Sequence, residues 1–344
     1  EGVRWTVVPF QPWMSERRYM GGPHHRLGQW WRYRRAARAR ARMNREVLPQ
    51  LLRVLEEQRV QAVHVNSAAV GITALLRAAW SKPLIWHIRE LPERQYLLHI
   101  DQGRAAYGRA LASVDRLIVI SAAVQQDVLR YAPHPAPMVR ILNGVIGDAR
   151  YAVLRAHAHE RWERQVPFVF ALVGLIHASK GQEEAVQALD LVRRERPDVR
   201  LLLAGSGRTE RLNALIARLG LTAHVDVLGH VDDPFAVFAR AHTCLMCSRN
   251  EAMGRVTVEA MASGLPVIGH ASGGTLELVQ PGANGWLYDG GAPALAERML
   301  EVVRDPALAR RTGERAMALA AERFSIERMT GRVLQVYAEC FPSA

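Results

Sequence analysis

The stretch NEAMGRVTVEAMASGLPVI, residues 250–268, contains two glutamates, Glu251 and Glu259, eight positions apart. It predicts a helix that begins near Gly254 and ends before Pro266, since a small residue followed by proline commonly closes a helix. Glu251 then precedes the helix, and Glu259 lies inside it on a different face. Two acids in such different surroundings suggest two separate roles rather than a paired acid and base. The alternative is a capping glutamate and a surface glutamate with no ligand.

The start of this helix is suited to an anion. Backbone N–H groups at a helix N-terminus and the helix dipole attract negative charge. Gly254 and Arg255 would add open amides and a guanidinium for a diphosphate. A carboxylate such as Glu259 is a good acceptor for the two hydroxyls of a ribose. The stretch therefore indicates a nucleotide site where a strand gives way to a helix.

An earlier junction, LVGLIHASKGQ at residues 172–182, has a similar arrangement. Gly174 follows a strand, and Lys180 stands near the start of the next helix, where a lysine adds a point charge for a phosphate. The spacing does not match the Walker A motif. A solvated lysine at a helix start is the alternative interpretation.

Strand-like runs alternate with helical runs along most of the chain. Such units predict parallel sheets with helices on both faces, and the two similar halves predict two Rossmann-like, doubly wound domains facing across a cleft. Ligands of such α/β sheets bind outside the carboxyl ends of the strands, so the loops that follow strands are the expected sites. Strands are predicted at 3–10, 62–66, 83–88, 116–120, 139–143, 168–174, 200–205, 225–229, 243–248 and 266–269.

The domain boundaries are placed where this alternation pauses. Residues 147–166 have few apolar periodicities and are predicted to link an acceptor-side domain at 1–146 to a donor-binding domain at 167–325. Residues 326–344 are predicted to form a C-terminal helix that packs back on the first domain. Ser121 is expected to cap a helix of the first domain.

Composition excludes several classes of protein. The 344 residues suffice for two domains, and no apolar run reaches the length of a membrane span. Three cysteines, an odd and small number, suit a reducing compartment. Cys244 and Cys247 have a metal-like spacing but lie in a predicted strand with no second pair nearby. Buried structural cysteines are therefore expected rather than zinc ligands.

The net charge of +12 is unevenly distributed. Residues 17–45 contain ten arginines and no acidic residue, with Trp30, Trp31 and Tyr33 among them. Such a segment can bind an anionic membrane, an acidic substrate or nucleic acid, or it can be a solvated helix. No nucleic-acid motif accompanies it, so an anionic membrane surface is the expected partner.

Several of these motifs resemble those of a known family. SRNEAMGRVTVEAMASGLPVI, preceded by VGLIHASKGQ, LLLAGSG and VLGHVDD, is similar to the donor domain of retaining family-4 glycosyltransferases with the GT-B fold. VNSA, IWHIRE, DRLIVIS and ILNGV in the first half resemble that family's acceptor domain. The likeness spans nearly the whole chain, and its most specific part is the pair of glutamates with the tail that follows.

The resemblance implies roles for these residues. Glu251 would be catalytic and face the transferred sugar, Glu259 would hold the ribose, and the diphosphate would lie against Lys180 and the following helix start. His87, near the end of the strand at 83–88, resembles the family's histidine beside the sugar and is the second catalytic candidate. A structural histidine is the alternative. The implied donor-binding residues are Lys180, Gly174, Glu259, Gly254, Arg255 and Met253.

Arg89 and Glu90 follow on the same loop as His87 and are candidates for binding the acceptor. Leu175 departs from the family pattern, which often has arginine there, so phosphate charge would rest on Lys180 with help from Arg255. The family also generally begins with another strand and a glycine-rich loop, whereas this chain enters at what resembles a later strand. Gly21-Gly22 is not expected to substitute, so we expect donor binding but poor transfer.

The predicted function is retaining, metal-independent transfer of a sugar from a UDP- or GDP-sugar to a glycan or lipid-linked acceptor. The sequence has no Asp-x-Asp motif for a metal, and cationic groups can stabilise the leaving diphosphate instead. No cofactor and no nucleic acid are expected, and the location is predicted to be cytoplasmic and peripheral on the inner face of the membrane. The alternatives are a poorly active donor-binding fragment and a nucleotide-sugar epimerase or hydrolase on the same fold.

Overall fold

The computed structural model describes residues 5–16, 26–163 and 167–341. The chain divides into two units, one comprising Glu1–Ile141 with Val336–Ala344 and the other Leu142–Gln335. In each unit apolar strands alternate with helices and pair in parallel, so the predicted α/β class with doubly wound parallel sheets is confirmed.

The first unit is built on a small parallel sheet. Its elements in chain order are β1 (Met14–Glu16), α1 (Arg26–Glu57), β2 (Val63–Val65), α2 (Thr73–Ala79), β3 (Leu84–Ile88), β4 (Leu98–Ile100), α3 (Arg104–Ser113), β5 (Arg116–Val119), α4 (Ala122–Tyr131) and β6 (Met138–Arg140). Among the described residues the sheet has the order β2-β3-β5-β6, and β1 pairs antiparallel with β4. Every residue of β3 is buried, because a central parallel strand is covered on both faces.

The second unit is built on a larger parallel sheet. Its elements continue with α5 (Asp148–His157), α6 (Glu160–Glu163), β7 (Val169–Val173), α7 (Gln182–Arg193), β8 (Arg200–Ala204), α8 (Glu210–Arg218), β9 (Val225–Gly229), α9 (Pro234–Phe238), β10 (Thr243–Met246), α10 (Arg255–Ala262), β11 (Val267–His270), α11 (Thr275–Leu278), β12 (Gly285–Tyr288), α12 (Gly291–Arg304) and α13 (Pro306–Arg323). The last helix, α14 (Ile326–Cys340), begins in the second unit, and its residues from Val336 onward are grouped with the first. The order within the described part is β12-β11-β10-β7-β8-β9. Because these strands run parallel, the loops after β7, β8, β10 and β11 share one edge of the sheet.

The helix cap expected in the first unit is present. Ser121 precedes α4, and its Oγ accepts a hydrogen bond from the Val124 N–H at 3.1 Å. A capping hydroxyl of this kind satisfies an amide that has no partner inside the helix. This prediction from sequence is therefore confirmed.

The predicted strand at 3–10 is wrong over residues 5–10, which have no regular secondary structure; residues 3–4 lie outside the described part of the chain. Pro9 and Pro12 cannot donate to a ladder, and proline is confined to the edges of sheets. Pro12 forms only an isolated antiparallel bridge to Val70, and the first ladder begins at β1, where Met14 faces Ile100 of β4.

The predicted linker at 147–166 is largely helical. It contains α5 and α6, and the described part of it belongs to the second unit; residues 164–166 lie outside the described residues. None of the residues of α5 is fully buried. A helix without a buried stripe gives no apolar periodicity, which is why the sequence pattern missed it.

Candidate functional site

The chain leaving β7 lies close to the chain leaving β8. The Gly174 N–H donates to the Ala204 carbonyl at 2.8 Å, and a Cβ on Gly205 would lie 2.0 Å from the Gly174 oxygen. Glycine is therefore needed at position 205 for the two backbones to approach so closely. Leu175, at the position where the resembling family often has arginine, is 56% exposed.

Lys180 lies at the start of α7. It ends a short 3₁₀ turn, Ala178–Lys180, and is followed by Gly181, whose φ of 74° is left-handed and suits glycine. A Cβ on Gly181 would lie 2.5 Å from the Cβ of Cys247. The turn therefore packs directly on the chain that leaves β10 and brings Lys180 to the loop that contains Glu251.

Lys180 and Glu251 form an ion pair, in which Nζ of the lysine donates to Oε1 of the glutamate. The Lys180 side chain is 26% exposed and the Glu251 side chain 9% exposed. Charges that are partly shielded from water interact more strongly than charges on an open surface. The structure thus joins two site residues that the sequence placed in different motifs.

The backbone of Glu251 is fixed by a loop that sequence reasoning did not identify. The Gly274 N–H donates to the Glu251 carbonyl at 2.7 Å, and a Cβ on Gly273 would lie 2.5 Å from that carbonyl oxygen. Asn250 has a left-handed φ of 56°, and its N–H donates to Ser272 Oγ at 3.0 Å. A Gly-Gly pair separated by two residues from the end of β11, at the same sheet edge, was the signal available in the sequence.

The start of α10 has the predicted geometry. Gly254 is the N-cap with a left-handed φ of 93°, which glycine adopts without strain. Met253 is buried against the core, with 2% of its surface exposed, whereas the side chain of Arg255 is 67% exposed. The first turn of α10 therefore presents backbone N–H groups and an exposed guanidinium.

Glu259 lies one turn further along α10, and its side chain is 11% exposed. Nη2 of Arg255 donates to Oε1 of Glu259 at 3.4 Å. Burial raises the pKa of Glu259 above its ordinary value, and Arg255 partly offsets the rise. A buried carboxylate is unfavourable for folding, and groups with perturbed pKa values are enriched at functional sites.

His87 is the second-last residue of β3 and pairs in register with Ile118 of β5. The side chain is buried. Burial, followed by the positive charge of Arg89 and by the neighbouring His64, lowers the pKa of His87 to about 3. The imidazole is therefore neutral at physiological pH and can donate or accept a hydrogen bond, but it does not supply a positive charge.

Arg89 and Glu90 lie in the loop after β3 and are half-buried. Oε2 of Glu90 accepts from the N–H groups of Ala68 at 2.9 Å and of Arg89 at 3.2 Å. Nη1 of Arg89 donates to Oδ1 of Asn66 at 3.2 Å. The two side chains therefore hold the loop after β2 in place. If they also bind the acceptor, they do so in addition to this structural role.

Two of the three cysteines are buried in the second unit, whereas Cys340 is half-buried and belongs to the first. Cys244 lies in β10 and Cys247 just after it, both as free thiols, and burial is the first cause that raises their pKa values. Among the described residues, no cluster of three or more His, Cys, Asp or Glu side chains is arranged to hold a metal ion.

The described part of the basic segment lies on α1, and residues 17–25, including Gly21-Gly22, lie outside the described residues. Trp31 is 58% exposed, and the Arg34 guanidinium lies 4.6 Å from the centre of the Trp30 ring. Arg40 differs, because its Nε and Nη2 donate to Asp101 at 2.7 and 2.9 Å. Across the described helices, none has both the length and the apolar character of a membrane span.

Two family models match the chain, one to each half. The model for "Glycosyltransferase Family 4" matches residues 4–146, and the model for "Glycosyl transferases group 1" matches residues 157–318. Both halves therefore match glycosyltransferases, and the second match contains the Lys180–Glu251 pair and the start of α10.

Relatives and solved structures agree with these matches. The chain is 25% identical to "Putative glycosyltransferase EpsD" of Bacillus subtilis over 316 residues, which cover 86% of this chain and 80% of EpsD. It is 30% identical to the "Lipopolysaccharide core biosynthesis glycosyltransferase LpsE" of Rhizobium meliloti over 203 residues, 58% of each protein. The crystal structure of Anabaena Alr3699/HepE in complex with UDP superimposes with a TM-score of 0.74 at 22% identity, covering 86% of this chain and 82% of that one.

Proposed function

The chain belongs to family 4 of the glycosyltransferases and has the GT-B fold, and on that premise we propose that it transfers a sugar with retention of configuration and without a metal ion. The donor is a nucleoside diphosphate sugar. The observation that carries the proposal is the Lys180–Glu251 pair, which sets a cation suited to phosphate beside a carboxylate suited to a sugar.

Uridine is the nucleoside that the comparison favours. The Anabaena protein with the similar fold binds UDP, and we extend that ligand to this chain as a proposal, with a GDP-sugar as the alternative. Glu259 would accept hydrogen bonds from the ribose hydroxyls, since carboxylates bind vicinal hydroxyls well. Arg255 already contacts Glu259 and would orient the carboxylate toward the ribose.

Positive charge at two helix starts would drive the reaction. Breaking the bond to the sugar moves negative charge onto the leaving diphosphate, so groups aimed at it stabilise the transition state more than the ground state. Lys180 precedes α7, and the open amides of α10 with Arg255 lie at the second helix start. Because these groups supply the charge, the proposed transfer needs no divalent metal.

Lys180 and Glu251 would exchange partners when the donor binds. The diphosphate is the more highly charged anion and would compete with Glu251 for the lysine. The carboxylate, displaced from Nζ, would then be available to the hydroxyls of the transferred sugar. The pair therefore couples arrival of the phosphates to release of the residue that contacts the sugar.

A glycan or lipid-linked acceptor at a cytoplasmic membrane surface fits the exposed face of α1. LpsE acts in lipopolysaccharide core biosynthesis by its name. Each cation near an anionic bilayer contributes about 1 kcal/mol, and interfacial tryptophans add anchoring. We propose that the chain binds the inner face of the membrane through exposed Arg34, Arg35 and Arg38 with Trp30 and Trp31.

The experiment that tests this function is a transfer assay with UDP- and GDP-sugars and a mixture of lipid and glycan acceptors. NMR of the product should show the same anomeric configuration as the donor, and a chelator should leave the rate unchanged. Release of free sugar alone would indicate a hydrolase, and a changed sugar on the nucleotide an epimerase. Either result, or an inverted product, would contradict the proposal.

A further inference from the structure

Three side chains grouped with the first unit form a continuous hydrogen-bonded row. The Tyr337 hydroxyl lies 2.5 Å from Nδ1 of His64, and Nε2 of His64 lies 3.3 Å from Nδ1 of His87. These residues come from α14, β2 and β3. The row therefore connects the C-terminal helix to a catalytic candidate.

The other nitrogen of His87 ends the row. Nε2 is buried and has no hydrogen-bond partner among the described residues. Most buried polar atoms in folded proteins are paired, so an unpaired one requires an explanation, such as a ligand that completes it.

Both imidazoles of the row are neutral at physiological pH. Burial lowers the pKa of each ring, and the positive charge of Arg89 lowers it further. A neutral imidazole has one N–H donor and one acceptor nitrogen. His64 and His87 must therefore donate in a single direction along the row.

The phenol sets that direction. Burial raises the pKa of Tyr337, so its O–H keeps the proton, and an imidazole nitrogen is a stronger acceptor than a phenol oxygen. Tyr337 then donates to Nδ1 of His64, and Nε2 of His64 donates to Nδ1 of His87.

We propose that Tyr337 and His64 are positioning residues that hold His87 in the tautomer with its proton on Nε2, from which it donates a hydrogen bond to an oxygen of the transferred sugar. The identity of the ligand rests on the proposed function, but the tautomer does not. The inference gives the C-terminal helix a part in turnover that is separate from nucleotide binding, because the nucleotide residues Lys180 and Glu259 lie in the second unit.

The tautomer is tested directly by nitrogen NMR of the full chain labelled with ¹⁵N-histidine, without any sugar. His87 is assigned from a His87→Asn variant, and the other spectra come from wild type, Tyr337→Phe, His64→Gln and His64→Leu. We expect Nε2–H in the wild type and in His64→Gln, whose amide still donates to Nδ1. We expect a mixture in the other two variants.

An Nδ1–H tautomer in the wild type would overturn the proposal, and so would identical His87 spectra in wild type, Tyr337→Phe and His64→Leu. Tyr337→Phe removes a single oxygen, so it also serves as the variant that keeps the fold.

Turnover tests the positioning role. With the donor identified by the transfer assay, Tyr337→Phe and His64→Leu should lower kcat by about tenfold, as loss of one well-placed hydrogen bond does, with UDP affinity unchanged. His64→Gln should recover most of the rate. Unchanged kcat in both damaging variants would refute the role. Absence of any transfer by the wild type would refute the proposed function but leave the tautomer result standing.

Discussion

Two ion pairs of this chain are similarly shielded from water but differ in what they can do. Arg40–Asp101 in the first unit and Lys180–Glu251 in the second each join a partly exposed cation to a carboxylate that is at most 9% exposed. Asp101 also accepts from Tyr33 at 2.7 Å and from Ser15 at 3.0 Å.

The difference lies in where the partners sit. The donors to Asp101 come from β1 and α1, so the carboxylate joins a helix to the β1–β4 ribbon, and a ligand could not replace them without loosening the fold. Lys180 and Glu251 instead lie in loops at a sheet edge, beside a helix start that attracts anions. The first pair is suited to hold structure, and the second to exchange partners.

Breaking the first pair should have the largest effect on stability. Asp101→Asn leaves the half-buried Arg40 without its counter-charge, and such losses cost about 3 kcal/mol. We expect a clear fall in the melting temperature, by about 5 °C or more. Asp232→Asn, at an exposed aspartate, is the matched control and should melt like the wild type. Equal melting of the two variants would show that Asp101 does not anchor the helix.

The arginines of α1 should separate into two groups. Changing Arg34, Arg35 and Arg38 to Gln should weaken binding to anionic vesicles by up to about 3 kcal/mol and leave the melting temperature unchanged. Arg40→Gln should lower stability instead. The control is Arg208, Arg218 and Arg240 to Gln, an equal change of charge at exposed positions of the second unit. If both triple variants pellet alike with vesicles, α1 is only a solvated helix.

Glu251→Gln tests whether the Lys180–Glu251 pair exchanges partners when the donor binds. Removing the charge takes away a contact to the sugar and should lower turnover by about 100-fold, or about 2.7 kcal/mol. It also removes the anion that competes for Lys180, so UDP should bind more tightly, by roughly 1 kcal/mol. Calorimetry with UDP and a transfer assay check the two signs. Weaker UDP binding would contradict the exchange of partners.

Glu259 extends the comparison to a carboxylate that is costly to bury. The pKa of Glu259 is raised in the folded state. The carboxyl group therefore costs no folding stability while it is protonated, and the loss of stability grows as the pH rises above its unfolded pKa. Glu259→Gln should therefore have a higher melting temperature than the wild type near pH 7.5 but not near pH 4. Its melting temperature should respond less to UDP.

Glu297→Gln, at an exposed position of α12, is the control for Glu259 and should show neither effect. If UDP raises the melting temperature of Glu259→Gln as much as that of the wild type, Glu259 does not bind the ribose.

The sequence was sufficient to predict which loops lie at the site edge of the second sheet. It was not sufficient to predict the long-range side-chain contacts of Arg40 and His64. Alternating strands and helices placed Gly174, Lys180 and Glu251 after parallel strands, and parallel strands bring such loops together. Nothing in the composition distinguishes Arg40 from its neighbours, because Asp101 is 61 positions away. His64 lies in an ordinary apolar strand, and only the position of α14 reveals its link to Tyr337. Long-range partners of this kind require the packed structure.

Lysine labelling tests the central claim most directly, because the chain contains two lysines, Lys82 and Lys180. Nζ of Lys82 donates a hydrogen bond to the Val60 carbonyl at 2.6 Å in the first unit, and this lysine serves as the internal control. Acetylation followed by mass spectrometry, with UDP or GDP added at increasing concentration, should show protection of Lys180 and constant labelling of Lys82. If a nucleotide raises the melting temperature but Lys180 is labelled as fast with it as without it, the diphosphate does not bind at Lys180. The proposed donor site is then wrong.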